Sequence, residues 1–262
     1  MIDHKFKKKY GQNFLMDNNI LNKIYLSIKP DEEDLIIEIG PGSGNLTKHL
    51  KEYKSNLICF EIDESLKDKL SKYEDDKTKI IFEDFMNASL DYYLKDIKYK
   101  DIYVIANIPY YITTPIIEKL TFSNLKIKSM VLMVQKEVAD RLASKAGTKD
   151  YGYITVFLNC FYNINKLFNV SRGCFYPVPN VDSAIIKLDS INRDIKDIDK
   201  LNRLLKDAFK FKRKNLRNNL KGYDLVKIDE ILKQYGFSLS DRAEDIPVEV
   251  YIKIANDFNW GL

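Results

Sequence analysis

The sequence predicts an α/β domain on a mostly parallel seven-stranded sheet with an antiparallel closing strand, followed by a small all-helical domain. Three observations carry this reading. Short apolar runs alternate with helical patterns from residue 35 to about 140, as repeated β-α units do. Three alternating glycines, Gly40, Gly42 and Gly44, separate the first such run from a helical pattern. Beyond residue 198 the apolar positions take helical spacing and no strand-like run recurs.

The first strand, Leu35-Ile36-Ile37-Glu38-Ile39, enters the turn Gly40-Pro41-Gly42-Ser43-Gly44 ahead of a helical run from Asn45. Glycines there let a ligand approach the backbone beside a helix N-terminus. The G-x-G-x-G spacing differs from the G-x-G-x-x-G of dinucleotide sites. A second strand, Leu57-Ile58-Cys59-Phe60, ends at Glu61, 21 residues after Gly40. A carboxylate at that position suits a ribose diol. The third strand, Lys79-Ile80-Ile81-Phe82, ends at Glu83-Asp84-Phe85, where a carboxylate can accept from an adenine amino group. Taken singly, Glu61 or Asp84 reads as a solvated loop acid. Their recurrence at successive strand ends points to a nucleoside.

The fourth strand, Ile102 to Ala106, runs into Asn107-Ile108-Pro109-Tyr110. The Asn107 amide oxygen and the carbonyls around Pro109 can accept hydrogen bonds from a planar NH2 group, and the Tyr110 ring can stack on its heterocycle. The same four letters also suit a plain strand-ending turn. A helix starts near Thr114, with Pro115 in its first turn. Met130 to Gln135 is a fifth strand, Lys136 to Leu142 a helix, and Tyr151 to Phe161 an apolar helical stretch. Asn163 to Val170 and Ser183 to Leu188 are two further strands, whose short connection favours an antiparallel pair. A polar linker over 190–198 divides a domain of residues 1–190 from one of residues 191–262. Helical spacing then runs through Leu201, Leu204, Leu205, Ala208 and Phe209, and on through Leu216, Leu220, Ile228, Ile231 and Leu232; Gly222 and Gly236 suit helix ends.

At 262 residues, 45% of them apolar and 31% charged, the chain can bury a core and stay in water. No run approaches the roughly 20 apolar residues of a membrane span, and no apolar signal core follows the basic residues 1–9. A cytoplasmic protein without membrane attachment is expected. Cys59, Cys160 and Cys174 are odd in number and widely spaced, and they read as reduced packing residues. With only His4 and His49 besides, no metal site is expected. The net charge of +4 hides an asymmetry: nine Lys/Arg and one acid between Lys200 and Gly222 give +8, residues 1–9 give +3, and the remainder carries −7. Such localisation marks a surface for a polyanion, although a charge run is also the usual form of a solvated helix face.

With three nucleoside-binding strand ends and the Asn-Ile-Pro-Tyr turn in order, the chain resembles the S-adenosylmethionine-dependent methyltransferases. More narrowly, it resembles the ribosomal RNA adenine N6,N6-dimethyltransferases of the KsgA type. The landmarks are Gly11-Gln12-Asn13-Phe14-Leu15, Glu38 to Gly44, Asn107 to Ile112, Gln135 to Leu142, and Phe175-Tyr176-Pro177-Val178-Pro179-Asn180-Val181-Asp182-Ser183. The resemblance itself runs from Lys8 to near the C-terminus, nearly the whole chain. The resemblance implies a Rossmann-like fold and transfer of methyl groups from S-adenosylmethionine to N6 of adenosines. The implied targets are two adjacent adenosines, each dimethylated, in a loop of small-subunit ribosomal RNA during ribosome biogenesis.

The resemblance further implies a cofactor pocket of Asn13, Leu15, Gly40, Glu61, Asp84 and Asn107. The target adenine would stack between Tyr110 and Phe175, with Asn107 at the amine. Without the resemblance, Phe175 reads as a core aromatic. Lys212, Arg213, Lys214 and Arg217 would contact phosphates of the pre-small ribosomal subunit, placing RNA contact in residues 191–262 and chemistry in 1–190. A monomer is expected. Two other readings stand beside this one: a large-subunit adenine methyltransferase of the macrolide-resistance type, and a ribosome-assembly RNA-binding factor with the fold but little catalysis.

Overall fold

A computed structural model describes residues 13–107, 112–123 and 125–257. Tyr110 lies outside the described residues, as do Ile108, Pro109, Tyr111, Gly11, Gln12 and the basic residues 1–9. The chain forms two compact units, Met1–Ala139 with Asn165–Ser190, and Asp140–Ile164 with Ile191–Leu262.

In the first unit, β1 (Phe14–Leu15) and α1 (Asn18–Tyr25) precede the β-α run. That run comprises β2 (Leu35–Ile39), α2 (Asn45–Leu50), β3 (Asn56–Glu61), α3 (Lys67–Leu70), β4 (Thr78–Phe82) and α4 (Leu90–Leu94), then β5 (Ile102–Asn107), α5 (Thr113–Phe122) and β6 (Ile127–Gln135). The chain continues through α6 (Lys136–Leu142), α7 (Tyr153–Asn159) and β7 (Tyr162–Val170) to β8 (Phe175–Tyr176) and β9 (Ser183–Ser190). Seven strands form one sheet in the order β4-β3-β2-β5-β6-β9-β7. The pairs β2–β3, β3–β4, β2–β5 and β5–β6 are parallel. The antiparallel strand is β9, which runs against β6 with Met130 opposite Leu188 and Gln135 opposite Ser183.

Strands β2 and β3 read as near-continuous apolar runs because both faces of a parallel sheet are covered. Leu35, Ile36, Ile37, Leu57, Ile58 and Phe60 are all buried. The sequence reading passed over α1, although its start is written in Asp17, whose carboxylate accepts from the amides of Asn19 (2.8 Å) and Ile20 (3.2 Å). Also unread was a two-stranded ribbon in which β1 pairs antiparallel with β8, Phe14 opposite Tyr176 and Leu15 opposite Phe175.

The second unit is helical, with α7 joined by α8 (Ile198–Ala208), α9 (Leu216–Asn219), α10 (Leu225–Gln234) and α11 (Val248–Asp257). Leu201, Leu204, Leu205 and Ala208 form the buried face of α8, which packs against α7, α9 and α11. Tyr251 is wholly buried, donates its hydroxyl to the Ala243 carbonyl (2.9 Å), and meets the Phe209 ring at 5.9 Å. Gly236 adopts φ +81° just beyond α10, the left-handed position where glycine costs least. Among the described residues, no helix is long and apolar enough to cross a membrane.

One acid interrupts the apolar face of β2. Glu38 is only 2% exposed, and burial pushes its carboxyl up to about 7 despite hydrogen bonds from Thr47 Oγ1 (2.7 Å) and Cys59 Sγ (3.4 Å) to Oε2. Its folded value exceeds the unfolded one, so between pH 4.5 and about 7 the folded state holds the extra proton. Stability therefore falls as pH rises through that window, by roughly 3 kcal/mol at 1.36 kcal/mol per unit. Glu38→Gln keeps a neutral group and an acceptor for Thr47. It is expected to match wild type near pH 4.5 and to exceed it at pH 8, as read by urea unfolding of the cofactor-free protein. A stability gap that does not widen with pH would refute this.

Candidate active site

A cavity of about 980 Å³ opens at the carboxyl ends of β2, β3, β4 and β5, the position that ligands take in open α/β sheets. Asn13, Leu15, Gly40, Glu61, Asp84, Asn107 and Phe175 all line it. Seven of the eight residues that the sequence nominates for cofactor and target thus share one cavity; the eighth, Tyr110, is outside the described residues.

The glycine turn is held by a neighbouring strand. The Gly40 amide donates to the Phe60 carbonyl (2.9 Å), and the Gly42 amide donates to Glu61 Oε2 (3.0 Å). Gly42 adopts φ +58°, and a Cβ there would stand 2.8 Å from the Phe14 ring. No other residue type meets both conditions. Glu61 closes the arrangement by accepting the Asp63 amide at Oε1 (2.9 Å). Each carboxylate oxygen thus holds one amide and keeps a lone pair for a further donor such as a hydroxyl. Burial pushes the Glu61 carboxyl up from its ordinary value, and the amides of Asp63 and Gly42 pull it back.

The N-terminal strand forms the opposite wall. Besides its pairing with β8, the Leu15 carbonyl accepts from Asn45 Nδ2 (3.0 Å), and the Met16 amide donates to the Cys174 carbonyl (2.9 Å). The ribbon is therefore fastened to the helix that follows the glycine turn and to the segment that presents Phe175. Phe175 is buried in the core cluster and faces the cavity as well. Its place in the core accounts for the first of its sequence readings, and its place on the cavity wall leaves a face for the second.

Asp84 orients itself on its own loop, with Oδ1 accepting the Met86 amide (2.9 Å). The loop is gripped by Lys119 from α5, which no sequence pattern nominates. Its ammonium donates to the carbonyls of Phe85 (2.7 Å), Met86 (2.9 Å) and Ala88 (2.7 Å), matching all three of its N–H donors. It also stands 5.2 Å from the Phe85 ring centroid. Burial holds its pKa below the usual lysine value, while Asp84 and Glu83 oppose that shift.

Glu38, Phe14, Asn45 and Lys119 are thus site residues that the sequence reading left without roles. A lone acid inside an apolar strand was the available signal for Glu38. The acceptors of Lys119 are backbone carbonyls, which leave no mark on the sequence. Lys212, Arg213, Lys214 and Arg217 belong to the second unit, in the α8–α9 connection and on α9, and all four are exposed.

Lys119→Met is expected to loosen the Asp84 loop. The amides of Asn87 and Ala88, which donate to the Asp84 carbonyl (2.9 and 3.1 Å), should exchange roughly tenfold faster or more, given the worth of hydrogen bonds to a charged group. Exchange rates equal to wild type would show that the loop holds itself.

The arrangement has counterparts among known proteins. The family described as ribosomal RNA adenine dimethylase matches residues 3–259. A protein of Mycoplasma mobile named "Ribosomal RNA small subunit methyltransferase A" is 42% identical over 254 residues, covering 95% of this chain and 97% of its own length. A protein of that name from Thermotoga petrophila is 41% identical over 262 residues, covering 98% and 94%. Among solved structures, a dimethyladenosine transferase from Plasmodium falciparum superposes with a TM-score of 0.77 at 26% identity, covering 92% of this chain and 95% of that one. The 23S rRNA methyltransferase ErmE superposes with a TM-score of 0.72 at 23% identity, over 93% and 98%, a likeness of fold. Similarity that runs through both units and almost the full length of those relatives means that the chain belongs to the ribosomal RNA adenine dimethylase family.

Proposed function

We propose that this protein transfers methyl groups from S-adenosylmethionine to N6 of adenosines in a loop of small-subunit ribosomal RNA, two adjacent adenosines each receiving two, during ribosome biogenesis. The observation that supports it most is the single cavity lined in order by Gly40, Glu61, Asp84, Asn107 and Phe175. Its volume of about 980 Å³ sits at the upper end for small-molecule sites, enough for a nucleoside cofactor and an inserted base. The small-subunit names of the Mycoplasma and Thermotoga relatives favour that substrate over large-subunit RNA.

The residues present fit the cofactor. Glu61 has one acceptor position left on each oxygen for a ribose diol, and the bare Gly42 backbone makes a cradle that a Cβ would fill. Asp84, fixed by the Met86 amide and the Lys119 grip, accepts from the adenine amine. When bound, the cofactor supplies an electrophilic sulfonium methyl, so the protein needs no covalent nucleophile. Its own part is placement. Phe175 stacks on the extruded adenine, and Asn107 at the end of β5 accepts from the target NH2. Its hydrogen bond would favour a more tetrahedral nitrogen whose lone pair is free to take the methyl, and the spare N6 proton would pass to water after transfer. In the second unit, Lys212, Arg213, Lys214 and Arg217 supply phosphate contacts, which give affinity without sequence choice.

The direct test incubates purified protein with labelled cofactor and separated ribosomal subunits and maps the modified bases. Label is expected as N6,N6-dimethyladenosine at adjacent positions of small-subunit RNA; label confined to the large subunit would overturn the assignment. Asn107→Ala, saturated with cofactor, should lose about 100-fold in single-turnover rate, the scale seen when one oriented hydrogen-bonding group is removed. A rate within about threefold of wild type would remove Asn107 from the target amine. Glu61→Gln should weaken cofactor binding roughly 10- to 100-fold by calorimetry, because its amide nitrogen cannot accept and replaces one of the two oxygens that hold the Gly42 and Asp63 amides and face the ribose.

A further inference from the structure

We propose that Phe211 is a base-stacking residue, and that the second unit takes an unpaired nucleobase of the RNA substrate on this ring in addition to its phosphate contacts. The inference rests on the RNA reading above and names how that surface recognises its partner.

From Ala208 to Gly222 the chain holds six Lys/Arg and no acid. Phe211 stands inside this run, between Lys210 and Lys212, and is 55% exposed. Two residues earlier, Phe209 turns inward against Tyr251, so the unit already has an aromatic for its core. Leaving more than half of Phe211 in water forgoes much of the stabilisation that burial would give.

The ring is also presented on a fixed backbone. The Lys214 amide donates to the Phe211 carbonyl (2.9 Å), closing the turn. Asn219 Nδ2 from α9 donates to the carbonyls of Ala208 (2.6 Å) and Phe211 (3.3 Å), bracing the turn from beneath. Helix α9 is itself anchored, with Leu216 inside it and Leu220 at its end wholly buried. An aromatic held in place loses little freedom on binding.

The surrounding charge identifies the occupant. The Lys/Arg run that flanks Phe211 disfavours a basic partner and suits a polyanion that carries flat rings. Lys210 Nζ stands 5.7 Å from the ring centroid, so a stacked base would meet both an aromatic face and an ammonium. Stacking tolerates any base. The pair therefore selects RNA that has an unstacked nucleotide within reach, a choice of shape over sequence.

The experiment measures binding of the full chain to small ribosomal subunits, and to the protein-free RNA of that subunit, from low to moderate salt. It compares wild type with Phe211→Ala, Phe211→Leu and Phe211→Tyr, and with a variant neutralised at Lys212, Arg213, Lys214 and Arg217. Phe211→Ala should weaken binding roughly 5- to 100-fold at every salt concentration, with the log–log salt slope unchanged, because stacking releases no counterions. Phe211→Tyr should bind as wild type. Phe211→Leu should not recover the loss, because it replaces apolar area without a stacking face. Ultraviolet irradiation should crosslink position 211 to a nucleotide. The neutralised variant should show a flatter slope.

Cofactor affinity measured by calorimetry should be equal in all of them, and so should the far-ultraviolet circular dichroism and thermal unfolding of the full chain, which shows that the second unit folds in each variant. Wild-type affinity in Phe211→Ala, full recovery in Phe211→Leu, an effect lost on protein-free RNA, or a crosslink to a ribosomal protein would each overturn the inference. Failure of wild type to bind the RNA at all would instead sink the functional reading on which it rests.

Discussion

The Glu61 carboxylate bridges two stretches of chain, and the shape of the cavity depends on that bridge. A turn with left-handed backbone at Gly40, Gly42 and Gly44 has few contacts of its own to fix it. Glu61 supplies one from outside by accepting the Gly42 amide, and its second oxygen holds the Asp63 amide at the end of its own strand. Strand β3 thereby sets the turn that follows β2. The carboxylate offered to a ligand and the backbone cradling that ligand form one rigid piece, as a pre-organised site requires.

Behind this bridge, Glu38 lies on the adjacent strand, and each of the two acids raises the other's cost of ionisation. With a carboxyl that titrates near neutrality, Glu38 is protonated in a large share of molecules at neutral pH. A neutral Glu38 spares the site one more buried negative charge beside Glu61. Lys119 extends the same logic to the Asp84 loop by neutralising the dipoles of three converging carbonyls with one ammonium.

The parallel sheet was legible because its information is local. Apolar runs at Leu35–Ile39 and Asn56–Glu61, each ended by a turn or an acid, fix the strand ends where the site must lie. Positions at these ends brought Gly40, Glu61, Asp84 and Asn107 into view, and the family resemblance gave them roles; all four line one cavity. What could not be read depends on partners remote in sequence. Strand β1 is two residues long and matches no periodicity, and its partner β8 is equally short. Phe175 was ambiguous between core and site because sequence cannot say that a ring has one face in each. Lys119 looks like any helix-surface lysine until its carbonyl acceptors are placed.

The β1–β8 ribbon also sets an order of events in time. Leu15 leaves the ribosome early, but its partner Phe175 is made 160 residues later. Until Tyr176 has emerged, the wall that joins these strands does not exist, although every strand from β2 to β6 is already available to pair. The central sheet can form during synthesis from neighbouring segments, whereas the pocket must wait for a long-range closure. A nascent or truncated chain that stops short of β8 would have the carboxyl ends of β2 to β5 in place with one side of the cavity open to water. The same chain would also lack β9, which reaches its place between β6 and β7 only after β8 has been made.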